Sequence, residues 1–172
     1  MEPETIPAPP RQDGRDPERQ NMSKLETALR ASDPVWETLD SQFADDQKPM
    51  PLIVAQLHAI VGDVTPLYIQ TRLQNADRPG EIKVEVFAIW ENLVTATACA
   101  EGEAGTTIAG RSSLRSVQLR AAPAVGTQEP PLEAFLSFDE LGDVRVPSTH
   151  DHEPARDSLA TLFPLLMVDL AK

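Results

Sequence analysis

The chain cannot form a disulfide within itself, because Cys99 is its only cysteine. That shortage fits a reducing compartment, so a cytoplasmic location is expected. Cys99 lies among small residues of an apparent strand, with no basic neighbour in sequence to activate it, and reads as a buried structural thiol. Aromatic residues make up only 5% of the chain, and lysine is outnumbered by arginine four to eleven. With abundant alanine, that balance suggests a GC-rich bacterial coding source. Long apolar runs are also lacking. Residues 52–61 and 159–170 are the longest, and Gln56, His58, Pro164 and Asp169 interrupt them. Neither approaches the ~20 residues of a membrane span, and Met1-Glu2-Pro3-Glu4 does not open like a secretory signal.

Positive charge is the other shortage. A formal net charge of −12 disfavours general binding to nucleic acid or anionic membrane, and favours selective attraction to a basic partner. Residues 1–24 are almost neutral, with five acids and four bases, so the remainder carries the field. Residues 26–46 hold six acids against Arg30, and residues 129–157 hold eight against Arg145 and Arg156.

Residues 1–21 contain five prolines and one large apolar side chain, Ile6, and are expected to form a disordered tail. Residues 22–62 read as a helical segment. Leu25 and Leu29 begin it, Asp33-Pro34 supplies a cap and a first-turn proline, and a second helix is predicted to about Ala44. Trp36, Leu39 and Phe43 fall on one face of that helix, amid Glu37, Asp40, Asp45 and Asp46. Trp36, Leu39, Phe43 and Asp40 are therefore candidates for docking a basic-rimmed partner; packing on the protein's own sheet is the competing reading. A third helix is predicted over 52–61, from Pro51 to a Gly62 cap, with Ile53, Leu57, Ile60 and Val61 inward.

Residues 63–172 read as an antiparallel β domain closed by a helix. Leu67, Ile69, Thr71 and Leu73 alternate with Tyr68, Gln70, Arg72 and Gln74, and Asp77-Arg78-Pro79-Gly80 reverses the chain into Ile82, Val84, Val86, Ala88 and Trp90. A third strand follows over 93–100, and these three strands need one face covered. Glu101-Gly102-Glu103-Ala104-Gly105 reads as a loop, with spacing that fits no phosphate-binding glycine motif, before a short strand over 106–109. The locally basic run from Arg111 to Arg120 reads as a turn and then a strand; a helix using Leu114, Val117 and Ala121 is the alternative. Arg111, Arg115 and Arg120 are candidate ligands for a phosphate, a lipid head group or an acidic peptide; neutralising nearby acids is the competing role. Leu132, Ala134, Leu136 and Phe138 begin a second hairpin that returns through Val144-Arg145-Val146. The closing helix, about 155–170, presents Leu159, Leu162, Phe163, Leu166 and Leu170 to the open sheet face, with a kink expected at Pro164.

His150-Asp151-His152-Glu153 places two imidazoles and two carboxylates within four residues. This is the only cluster that suggests a metal-dependent enzyme, but it lacks an evident third ligand, so neither a metal nor a cofactor is implied. The fold class expected is α+β: an antiparallel sheet or partly open barrel with N-terminal helices and a C-terminal amphipathic helix. In element order, residues 63–171 resemble the pleckstrin-homology-like architecture. With a helix at 114–121, the order would instead look like that of small acidic secretion chaperones, an α/β sandwich. The leading functional expectation is a non-catalytic cytosolic adaptor or chaperone-like module that binds a basic protein partner. An exposed edge strand would also allow a homodimer.

Overall fold

In the computed structural model, residues 22–78, 81–121, 132–146 and 153–171 are described. The Ser23 hydroxyl accepts from the Glu26 amide at 3.1 Å and starts α1 (Lys24–Ser32). Asp33 Oδ1 then accepts from the Val35 amide at 2.8 Å, and α2 (Trp36–Leu39) follows. The second helix is shorter than the spacing predicts: it tightens into a 3₁₀ turn over Asp40–Gln42, and Phe43 leaves in extended geometry. Pro49 opens α3 (Pro49–Val61), where its missing N–H costs nothing, and Gly62 ends it at φ +72° with its amide donating to the His58 carbonyl.

Among the described residues, seven strands form two antiparallel sheets. The first contains β1 (Tyr68–Gln74), β2 (Lys83–Ile89), β3 (Leu93–Ala100) and β4 (Glu103–Gly110) in chain order; the second contains β5 (Leu114–Ala121), β6 (Leu132–Phe138) and β7 (Gly142–Val146). Helix α4 (Glu153–Leu170) closes the chain and runs through Pro164. Among the described residues the sheets do not close into a barrel, and the architecture is α+β with helices at both ends of the chain. The segment 114–121 is a strand, so the secretion-chaperone-like order loses its basis. Residues 101–105 are not one loop. Glu101 and Gly102 alone make the turn, with φ +52° and +78°, and β4 begins at Glu103. Two positive φ values match the twist of a two-residue hairpin.

One sheet face was expected to be covered, and both are used. Val84, Val86 and Ala88 of β2 pack with Leu25, Leu29, Trp36, Leu39, Ile53 and Leu57 of the N-terminal helices. Phe87 and Ile89 point the other way, into a core with Leu136 and Phe138 of the second sheet and Leu159, Leu162 and Leu166 of α4. Tyr68, read from its polar neighbours as facing outward, is 2% exposed in this second core and donates to Gln70 Oε1 at 2.9 Å. The rings of Tyr68, Phe87 and Phe138 form a tilted series across the two sheets, with centroids 6.5 and 6.3 Å apart. Helix α4 therefore does not cover the first sheet alone; the second sheet shares that task.

Candidate functional site

The candidate docking face on α2 is turned inward. Trp36 and Leu39 are fully buried, and Trp36 Nε1 donates to Thr71 Oγ1 of β1 at 2.9 Å. Phe43 is half-buried against the same core, while Asp40 accepts weakly from the Met50 amide at 3.4 Å. Trp36 and Leu39 thus hold the helices to the sheet, and offering them to a partner would require opening the core. An indole with its N–H bonded inside satisfies both its apolar area and its polar edge.

The three arginines do not converge on one site. Arg111 Nε and Nη2 both lie 2.7 Å from Asp169 Oδ2 on α4, and Nη1 donates to the Glu91 carbonyl at 2.6 Å. Arg115 is ion-paired with Asp139, which raises the guanidinium pKa and holds the carboxyl below its ordinary value through the hydrogen bond first and charge second. In Asp139, burial opposes that shift only in part. Arg120 lies over the Phe135 ring, 4.7 Å from its centroid. Cys99 is 3% exposed and burial pushes its thiol pKa up, so this buried thiol is held in its neutral form. His150, Asp151 and His152 lie outside the described residues, as does the side chain of Glu153, the first residue of α4.

The structure does reveal an open strand edge beside a cleft. β4 is the last strand of the first sheet, eight residues long, and contains no proline, no lysine and one charge, Glu103. Its register with β3 is continuous from Ala100↔Glu103 to Leu93↔Gly110, without a bulge. Counting hydrogen-bonded pairs from the two-residue turn, the backbone groups of Ala104, Thr106 and Ile108 point away from β3. Among the described residues no strand pairs with them. Proteins ordinarily blunt such an edge with charge, proline, a bulge or a short strand, and β4 has only the charge of Glu103 at its first residue.

The face of β4 that carries Glu103, Gly105, Thr107 and Ala109 continues across Ala96 and Ala98 of β3 to Glu85 and Phe87 of β2. Over this floor of small residues a cleft of about 420 Å³ opens, walled on its far side by Leu141, Asp143, Val144 and Arg145 at the β6–β7 turn. Gln70 Nε2 donates to the Arg145 carbonyl and ties that wall to β1. No family model, curated protein or solved structure matches the chain. The site therefore rests on geometry.

Acidic groups cluster where β4 begins. Glu101 and Glu103 are exposed, and Gly102 stands against Gln47, which brings the 3₁₀ turn of Asp45–Gln47 alongside. Asp45 is paired with Lys48 at 2.6 Å, whereas exposed Asp46 has no described partner. In the cleft, Arg145 is engaged with Glu133, and Glu85 with Lys83 at 2.7 Å. Asp143 is exposed and lacks a partner among the described residues. Sequence reading located none of the cleft. The signal it did contain was the run of small residues at alternate positions, Ala96, Ala98 and Ala100 against Gly105, which leaves the floor bare.

Proposed function

We propose that this protein is a non-catalytic interaction module that holds an extended segment of a basic partner along the edge of β4. The observation that carries the reading is the eight-residue edge, charged only at Glu103, with the backbone groups of Ala104, Thr106 and Ile108 directed outward. A strand added there would gain main-chain hydrogen bonds without rearranging either core. The acidic approach around Asp46, Glu101 and Glu103, together with the net charge of −12, supports steering of a basic partner. A cytoplasmic setting belongs to the same proposal and rests on the single, buried cysteine.

The test compares capture of native cytosolic proteins by the full chain and by Thr106→Pro. The Thr106 amide points away from β3, so proline there blocks the edge while sparing the β3–β4 ladder; Ile108→Lys is a second variant that leaves every backbone donor in place. A partner held by the parent protein and lost by both folded variants supports strand addition. Equal capture by all three proteins refutes it, and capture insensitive to salt removes the steering part.

A further inference from the structure

We infer that the segment accepted at β4 alternates, with a β-branched or aliphatic residue facing α3 and arginine or lysine facing the cleft; this rests on the strand-addition reading above. A strand presents successive side chains to opposite faces, so one set would lie beside Ala104, Thr106 and Ile108 and the other beside Glu103, Gly105, Thr107 and Ala109. On the first face Ile108 is 47% exposed, an aliphatic surface suited to a β-branched or aliphatic cross-strand neighbour.

On the second face, space and charge both select. A Cβ built on Gly105 would meet nothing within 4 Å, and Ala98 behind it is also small, so a long side chain can lie across the strand. The carboxylates that such a side chain meets are Glu103, on β4 itself, and Asp143, across the cleft; both are exposed and neither has a partner among the described residues. Of the two arginines that line the cleft, one is committed to an ion pair and the other lies far from β4. Arg145 is engaged with Glu133, and Arg72 stands on β1, three strands from β4, or about 14 Å at the usual strand spacing. A cationic side chain is thus favoured over a neutral one and an anionic one is repelled. Exposed pairs of this kind contribute little singly, so two carboxylates together should give roughly a 3- to 10-fold preference.

Three synthetic nonapeptides test the inference, each alternating Val or Thr with a variable residue that is Arg, Gln or Glu throughout. Affinity is read by fluorescence anisotropy at about 50 mM salt, where exposed charges are only partly screened. Amide exchange along β4 is followed in parallel. The expected order is Arg, then Gln, then Glu, and every bound peptide should protect the amides of Ala104, Thr106 and Ile108. Asp143→Asn combined with Glu103→Gln should erase the preference for Arg over Gln while leaving the Gln peptide's affinity unchanged. Equal binding of the three peptides with edge protection would overturn the charge selection but not strand addition. An Arg preference that survives in the double variant would likewise overturn the charge selection alone. Binding of none, or binding that leaves those amides unprotected, would overturn strand addition itself. Protection of the same amides in the protein alone, rising with its concentration, would assign the edge to a second copy and overturn the inference.

Discussion

Replacing Arg111 with methionine should unfasten α4 and cost a substantial part of the protein's stability. The guanidinium places two nitrogens 2.7 Å from Asp169 Oδ2 and a third at the carbonyls of Glu91 and Trp90, 2.6 and 3.4 Å away. Its side chain is 12% exposed and that of Asp169 is 6%, so solvent screens the pair weakly. Removing one partner of a buried pair costs about 3–5 kcal/mol, because the other charge stays desolvated. The slight exposure of Arg111 favours the lower end, near 3 kcal/mol. Against a total of about 5–15 kcal/mol for a domain, that is a large fraction, and it corresponds to a fall of about 6–12 °C in Tm. Equilibrium urea unfolding of Arg111→Met, Asp169→Leu and the double variant measures both the loss and the coupling. The double variant should be more stable than the sum of the single losses implies, by at least about 1 kcal/mol. A loss below about 0.5 kcal/mol in Arg111→Met, or strict additivity, would refute the view that this pair clasps the helix.

Tyr68 is the chain's only tyrosine, and burial raises its phenol pKa well above the ordinary value, so the unfolded chain releases that proton first as pH rises. Stability should therefore be complete below about pH 10 for this group and decline above it, and urea midpoints between pH 8 and 11 should fall less steeply in Tyr68→Phe. Cys99 contributes with the same sign through its own raised pKa, so both proteins should carry Cys99→Ala for the comparison. Both tryptophans are buried, Trp36 at 0% and Trp90 at 4% exposure, which predicts blue-shifted emission and weak acrylamide quenching in the native protein. Trp36→Phe should lower stability by about 1–3 kcal/mol through the lost bond to Thr71 and the vacated volume. Gly102→Ala forces a Cβ to φ +78° and to within 3.2 Å of Gln47 Cγ, and should cost about 1 kcal/mol or more in the same urea assay.

Much of the secondary structure was legible because its signals are local. The alternation through Ile69, Thr71 and Leu73, the Asp33 side chain that accepts from the Val35 amide ahead of α2, and the Gly62 stop each reflect a preference carried by a few adjacent residues, although α2 itself starts at Trp36 rather than at Pro34. Boundaries failed where a turn was tighter than its composition implied. Glu101-Gly102-Glu103-Ala104-Gly105 looks like one loop, yet two positive-φ residues suffice, which lengthens β4 to eight residues. Tyr68 and Gln70 defeated the polarity argument for a different reason. Their cover comes from β6, β7 and α4, more than 60 residues further along, and periodicity within one strand does not report what arrives from that distance. The cleft was hidden on the same grounds, since Asp143 comes to line one cleft with Ala96 and Thr107 only through the packing of two sheets. Arg111 was noticed for its charge, but its destination on α4 is 58 residues away.

The sharing of β2 between two cores also bears on how the chain tolerates change. Val84, Val86 and Ala88 serve the helices while Phe87 and Ile89 serve the second sheet, so this strand has no side on which substitutions are free. The N-terminal helices and α4 are coupled across the backbone of the first sheet, and α1 also touches α4 directly. Loss of packing on either side would shift that backbone and be felt on the other, making the two cores one cooperative unit in unfolding. The amides of β2 should exchange last, and they should do so at one common rate whichever core is weakened.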